Sequence, residues 1–326
     1  MVSILELAPS FILGKGGRIM KKYFVFSDVH GEYDKLSDAL LSSGFDINDS
    51  SHILISDGDL FDRGKKSKEC LDFIMDLAGK GRTIIIMGNH DLRLYDLLFS
   101  HEKHHPFERN DVMNGLHETM NSLAGYNINS FAWNNTVFDS IVSSIPYDVK
   151  EKLYRYFQEA SWFAENKDYI ITHGWIPSYN KVRKMSGTYY EPKENISEWR
   201  SSSYDDWYNA VWSDTKRIFC AQFLNDENYY PEEKKLIIGH FWANELQTIL
   251  DKKAKKNYIK EQKKSFAISP TLIKGKFIAI DGMTNLDKTN VLFKNSSGEM
   301  DTYTLYGKVN VYVFESDDDF NCLKVF

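Results

Sequence analysis

ILISDGDLFDRG, residues 53–64, opens as an apolar, β-branched run and then turns abruptly into Asp59, Asp62 and Arg63 between Gly58 and Gly64. A run apolar at consecutive positions suits a strand buried on both faces, and so a sheet covered by further layers. The strand is expected over His52–Ser56, and the same design recurs along the chain. Tyr23–Ser27 leads to Asp28 and His30, and Thr83–Met87 leads to Asn89 and His90. Asp168–Thr172 leads to His173 and Lys235–Ile238 to His240, while Phe277–Ile280 is a sixth run. Between the runs, residues 65–79 put Cys70, Leu71, Ile74, Met75 and Ala78 on one face at helical spacing, and residues 91–99 form a shorter Leu-rich helix. This βαβα order predicts an α/β layered domain with right-handed crossovers.

The remaining segments read differently. Residues 100 to 165 hold His101, His104 and His105, Asn-rich turns, and an amphipathic stretch from Val149 to Phe163. They are expected to form a helical insertion packed over the sheet. Residues 178–209 are polar and aromatic and read as a long loop, with Trp199, Tyr204, Trp207, Tyr208 and Trp212 taken as packing rather than as a stacking wall. The lysine-rich stretch 251–264 reads as a solvated face. Alternation from Val291 to Phe314 predicts antiparallel strands.

The chemistry lies at the strand ends. One aspartate after a strand is ordinarily a helix N-cap, and one histidine ordinarily a packed or surface residue. Five strands that each deliver an aspartate, asparagine or histidine at the carboxyl end, where ligands bind in α/β sheets, are not explained that way. Oxygen and imidazole donors without thiolate suit divalent ions such as Mn, Fe or Zn. More than four such donors, with one carboxylate able to bridge, point to two ions clamping a phosphoryl group.

Asp28-Val-His30-Gly31, Gly58-Asp59-Leu-Phe-Asp62-Arg63-Gly64 and Gly88-Asn89-His90-Asp91 together resemble the signature set of the calcineurin-like metallophosphoesterases. More narrowly, they are similar to the branch holding serine/threonine phosphoprotein phosphatases and bacterial diadenosine-tetraphosphate hydrolases. Thr172-His173-Gly174, Val211-Trp212-Ser213-Asp214 and Ile280-Asp281-Gly282 extend the likeness from about residue 23 to 282.

The resemblance implies an α-β-β-α sandwich of the metallophosphoesterase type over residues 20–326 as one domain, with the insertion at about 100–165. It implies that Asp28 and His30 hold one metal, that Asn89, His173 and His240 hold a second, and that Asp59 bridges them. A metal-bridging hydroxide would attack, His90 would protonate the leaving oxygen with Asp62 behind it, and Arg63 and Asn89 would bind the phosphate. The resemblance is incomplete at four places. Trp242 stands where many relatives carry a second histidine, and Asp91 where phosphoprotein phosphatases usually carry glutamate. Asp281 lacks the Thr-Gly that often follows it. A second phosphate-binding arginine is unassigned, with Arg217 and then Arg200 as candidates.

The function implied is hydrolysis of phosphomonoesters with two divalent ions, manganese being the choice in vitro. A serine/threonine protein phosphatase-like activity comes first. The alternative is a dinucleoside-polyphosphate (diadenosine tetraphosphate) or nucleotide hydrolase. A catalytically silent metal-binding or interaction protein is disfavoured because every metal ligand and the Asp62–His90 pair are present. The partner is thus a phosphorylated substrate, phosphoprotein or nucleotide.

Composition agrees with this reading. Hydrophobic residues make up 42% of the 326 and aromatics 14%, enough for a packed core, and a net charge of −6 argues against nucleic acid. Cys70, Cys220 and Cys322 are too few and too scattered for a disulfide framework, which suits buried reduced thiols in a cytoplasmic protein. The opening MVSILELAPSFIL is interrupted by Glu6 and Pro9 and predicts neither a membrane span nor a signal peptide. Met20 is a second candidate start, so residues 1–19 read as a flexible extension.

Overall fold

The computed structural model describes residues 20–100, 106–184, 187–213, 217–219, 222, 229–243, 246, 266–267, 272–284, 289–294 and 300–326. The expected extension 1–19, the histidines 101, 104 and 105, Cys220, Asp214 and the stretch 251–264 lie outside the described residues.

In chain order, the first half consists of β1 (Lys21–Phe26), α1 (Tyr33–Ser42), β2 (His52–Asp57), α2 (Ser67–Ala78), β3 (Thr83–Ile86) and α3 (Asn89–Leu98). Four helices follow: α4 (Arg109–Met113), α5 (Leu116–Ala124), α6 (Asn135–Ser144) and α7 (Tyr147–Glu159). Next come β4 (Ser161–Glu165), β5 (Tyr169–Ile171), the hairpin of β6 (Tyr179–Lys184) and β7 (Gly187–Pro192), and α8 (Tyr204–Val211). The chain continues through β8 (Lys235–Ile238), β9 (Phe266–Ala267), β10 (Leu272–Lys274) and β11 (Phe277–Ala279). It ends with β12 (Thr289–Lys294), β13 (Met300–Tyr306), β14 (Tyr312–Ser316) and β15 (Asn321–Lys324).

The main sheet runs β10-β11-β8-β5-β4-β3-β2-β1-β14, with β15 also paired to β4. β1, β2 and β3 are mutually parallel, as are β5, β8 and β11, and β4 joins the two sets. In a flat sheet, five strand spacings would hold β5 and β14 about 24 Å apart. Instead the rings of Tyr169 on β5 and Phe314 on β14 stack at 4.1 Å. The sheet therefore curls until its halves face each other, which gives the two inner layers of the sandwich.

Alternation along each strand accounts for both layers. Val25, Ile55, Ile86, Ile171, Ile237 and Ile278 fill the space between the halves. Phe24, Phe26, Leu54, Ile85, Leu236 and Phe277 face outward into the larger core. There Leu36 and Leu40 of α1, and Cys70, Leu71 and Ile74 of α2, cover one half. Trp175, stacked on Phe277 at 5.5 Å, covers part of the other. Consecutive apolar residues in these strands are thus needed because both faces are dry.

Three expectations change. The amphipathic stretch ends as a helix at Glu159, and Ser161–Glu165 joins the sheet, pairing with β15 and β5. The segment taken as a long loop contains a two-stranded hairpin and α8. Its polarity misled because the hairpin is not part of the main sheet, and α8 is marked only by a Ser203 cap that accepts from the Asp206 N–H (3.2 Å). Cys70 is buried as expected, but Cys322 is exposed on β15. Among the described residues, no helix is long and apolar enough to cross a membrane.

Candidate metal centre

The left-handed backbone region costs a side-chain-bearing residue about 1 kcal/mol or more, and such strain gathers where function needs it. Among the described residues, the non-glycine positions with positive φ are Asp28, His30, Asp59, Asp62, Arg63, His240 and Met283. All but Met283 belong to the expected site. Each lies just after a strand, where the chain must reverse at the sheet edge while pointing its side chain at the same centre.

The carboxyl ends of both halves of the sheet meet there. The backbone of Asp28 donates to Gly58 O (3.1 Å), and that of Gly239 to His173 O (3.0 Å). The His240 N–H donates to the Asp28 carboxylate at 2.9 Å. The close fit explains Gly88: a Cβ there would come within 2.2 Å of the Asp59 nitrogen and 2.3 Å of its Oδ1. Asp91 ties these turns together by accepting from the backbone of Asp59, Leu60 and Gly88 at 2.9–3.0 Å. Burial, then the nearby Asp59 charge, pushes the Asp91 carboxyl up to about 7.

Three imidazoles are each oriented by a backbone carbonyl, which can only accept, so the nitrogen facing it carries the proton. His30 Nδ1 donates to Phe61 O (2.8 Å), His173 Nδ1 to Asp57 O (2.8 Å), and His240 Nε2 to Ser213 O (3.0 Å). The opposite nitrogens turn toward oxygens. His30 Nε2 lies 3.8 Å from both Asp28 Oδ1 and Asp59 Oδ2. His173 Nε2 lies 3.3 Å from Asp59 Oδ1 and 3.1 Å from Asn89 Oδ1, which is itself 2.8 Å from His240 Nδ1. In neutral imidazoles these are lone pairs aimed at lone pairs, an arrangement relieved by a cation or a proton between them.

The charges follow from that crowding. Burial works against the cation of His173, but the Asp59, Asp28 and Asp57 carboxylates outweigh it and hold its pKa well above the usual. Burial, then His173, pushes His240 down to about 3, and burial with Arg63 lowers His30 well below its usual value. Burial raises Asp28. Asp59 is lowered well below the usual carboxylate range, because His173 and His90 overcome its burial.

Two clusters emerge that could hold a metal, one of His30, Asp59 and His90 and one of Asp59, His173 and His240. Asp59 belongs to both. The oriented imidazoles and converging oxygens fit a pair of divalent ions, with oxygen and nitrogen donors and no thiolate.

His90 stands apart from the other imidazoles. Its Nδ1 donates to Asp62 Oδ2 (2.7 Å), while Arg63 Nη2 donates to its Nε2 (3.3 Å). Burial opposes its charge, yet Asp59 and the Asp62 hydrogen bond raise its pKa above the ordinary histidine value. Arg63, Asn89, His90, Trp242 and Asp281 help line a cavity of 430 Å³ over the centre. A neighbouring groove of 320 Å³ shares His90, Asn114 and Trp212 with it and is walled by Tyr208.

All the expected metal-set residues, with Asp62, Arg63 and His90, therefore converge. The arginine candidates do not: Arg200 is held by Glu165 and Glu232, both at 2.7 Å, and Arg217 is exposed and lines neither cavity. Arg200 was misleading because an arginine near a motif gives no sign of the carboxylates it will meet. Of the five aromatics, Trp199 and Trp207 are packed as expected, whereas Tyr208 and Trp212 face the groove.

The chain belongs to the calcineurin-like phosphoesterase family, whose model matches residues 21–240. It therefore has the metallophosphoesterase fold, in a family of phosphoesterases dependent on a dinuclear metal site. Over 107 residues it is 33% identical to the asymmetrical bis(5'-nucleosyl)-tetraphosphatase PrpE of Bacillus subtilis (strain 168), covering 31% of this chain and 41% of that one. Over 94 residues it is 39% identical to the symmetrical bis(5'-nucleosyl)-tetraphosphatase of Haemophilus influenzae (strain PittEE), covering 29% and 32%. The chain thus spans less than half the length of these relatives. It also resembles the solved structure of a protein serine/threonine phosphatase from Saccharomyces cerevisiae, at 14% identity and a TM-score of 0.41, over 91% of this chain and 80% of that one. That likeness is too distant to bear on substrate.

Proposed function

We propose that this chain hydrolyses nucleotide polyphosphates of the bis(5'-nucleosyl) tetraphosphate kind, using two divalent ions. The observation that carries the reading is the groove beside His90, which the Tyr208 and Trp212 rings line, their centroids 6.4 Å apart. Aromatic faces of this kind suit a nucleobase. The names of the two bacterial relatives agree with it, and they favour nucleotide hydrolysis over the phosphoprotein activity that the sequence reading put first.

Asp28, His30 and Asp59 would hold one ion, and Asp59, Asn89, His173 and His240 the other. When bound, such ions make a nucleophile of water at neutral pH and offset phosphoryl charge. The chain supplies the rest. Arg63 turns from His90 to grip the phosphate with its planar fork, helped by the Asn89 side-chain amide. His90, held through Nδ1 by Asp62, delivers a proton from Nε2 to the leaving oxygen.

A substrate panel tests the proposal. With Mn²⁺ added, diadenosine tetraphosphate is expected to turn over with a kcat/KM at least about tenfold above that of phosphoserine peptides, which corresponds to about 1.4 kcal/mol of extra transition-state binding. EDTA is expected to stop both reactions. Preference for the peptides would overturn the nucleotide reading, and activity surviving EDTA would overturn the metal reading.

A further inference from the structure

The proton-delivery reading leaves open what holds Asp62. Its backbone is left-handed at φ +71°, followed by Arg63 at φ +66°, two consecutive strained residues at the point where both side chains must be aimed. The start of the helical insertion seats this turn. The Arg63 N–H donates to Gly115 O at 3.2 Å, and a Cβ on Gly115 would come within 2.3 Å of that nitrogen. Gly115, itself at φ +89°, lets the turn before α5 lie directly against the Arg63 backbone.

One turn further along α5, the fully buried hydroxyl of Thr119 meets Asp62 twice. Thr119 Oγ1 accepts from the Asp62 N–H at 2.7 Å and donates to Asp62 Oδ1 at 3.1 Å. Its remaining neighbour is Ser67 Oγ at 3.1 Å, which donates to it because the threonine proton is already used. A hydroxyl has one proton and two lone pairs, and all three are committed. Asp62 Oδ1 is thereby fixed, which leaves Oδ2 directed at His90 Nδ1, 2.7 Å away.

We infer that Thr119 is a positioning residue for proton delivery. It locks both the strained backbone and the carboxylate orientation of Asp62, so the insertion forms part of the catalytic apparatus rather than a cover over the sheet. The inference rests on the reading of His90 as the proton donor to the leaving group. A carboxylate free to rotate would hold His90 in the required direction only part of the time, and the loss would fall on leaving groups that need a proton.

The test compares two substrates in the Mn²⁺-loaded enzyme: phenyl phosphate, whose leaving group needs protonation, and p-nitrophenyl phosphate, whose leaving group needs little. General acid catalysis contributes about 10²–10⁴-fold in rate, so Thr119→Val is expected to cost about tenfold in kcat on phenyl phosphate and no more than about twofold on p-nitrophenyl phosphate. Thr119→Ser, which keeps the hydroxyl, is expected to restore the phenyl phosphate rate. Should the valine variant not fold, Thr119→Ala removes the same hydroxyl without adding bulk. Equal losses on both substrates, or a serine variant as impaired as valine, would overturn the inference, since a merely structural residue gives no such split.

Asp62→Asn separates this outcome from failure of the underlying reading. If it splits the substrates and Thr119→Val does not, only the inference falls. If Asp62→Asn itself gives no split, the proton-delivery reading fails and takes the inference with it.

Discussion

Asp59→Asn is expected to lower kcat for p-nitrophenyl phosphate by about 10³-fold or more, given that metal ions supply several kcal/mol of transition-state stabilisation and each tenfold is about 1.4 kcal/mol. The magnitude follows from the position of this carboxylate. Its Oδ1 faces His173 Nε2 at 3.3 Å and its Oδ2 faces His30 Nε2 at 3.8 Å, so each oxygen serves a different cluster. An amide removes the negative charge and replaces one oxygen with a nitrogen that carries two protons and has no lone pair for a metal. The variant is expected to keep the fold, asparagine being isosteric with aspartate, and far-UV circular dichroism checks this. Turnover within tenfold of the unsubstituted enzyme would mean that Asp59 does not join two sites.

His90→Ala is the second large effect, and its size depends on the substrate. With phenyl phosphate, kcat is expected to fall by about 10²–10⁴-fold, the range that a positioned proton donor contributes. With p-nitrophenyl phosphate the loss should be much smaller. The assignment follows from geometry. His90 alone among the four clustered imidazoles has one nitrogen held by a carboxylate rather than a backbone carbonyl, and it borders both the cavity over the centre and the groove beside it. Equal losses on the two substrates would make His90 a metal ligand, as its proximity to His30 and Asp59 allows.

The centre was legible in the sequence because each of its residues follows a strand. A buried strand announces itself by consecutive apolar residues, and what stands immediately after it lies at the sheet edge. Asp28, Asp59, Asn89, His173 and His240 all stand in that position. The strands themselves were found to within a residue or two, for example Lys235–Ile238, observed over the same span as expected. The curl was hidden, since Tyr169 and Phe314 meet through the path of the whole sheet and no local pattern records it. β4 was missed because it follows α7 with one residue between them and extends the same apolar periodicity.

The supporting residues were less legible for a related reason. Asp91 follows a motif and was noticed, but its three backbone partners lie on two different turns. Thr119 stands on a helix 57 positions from Asp62 and carries no signal of its own. The one available sign was Asn114-Gly115, a turn dipeptide four residues upstream that interrupts an otherwise helical insertion. Tyr208 and Trp212 cannot be told from Trp199 and Trp207 by composition; facing the groove or the core depends on how α8 and its flanking turns pack.

The central claim is a two-ion site joined at Asp59, and metal stoichiometry measures it directly. After EDTA treatment and dialysis, calorimetric titration with Mn²⁺ is expected to reach two ions per chain, with turnover appearing as the second ion binds, and Asp59→Asn is expected to lose at least one of them. Saturation at a single ion with full activity, or full activity with none, would contradict the account.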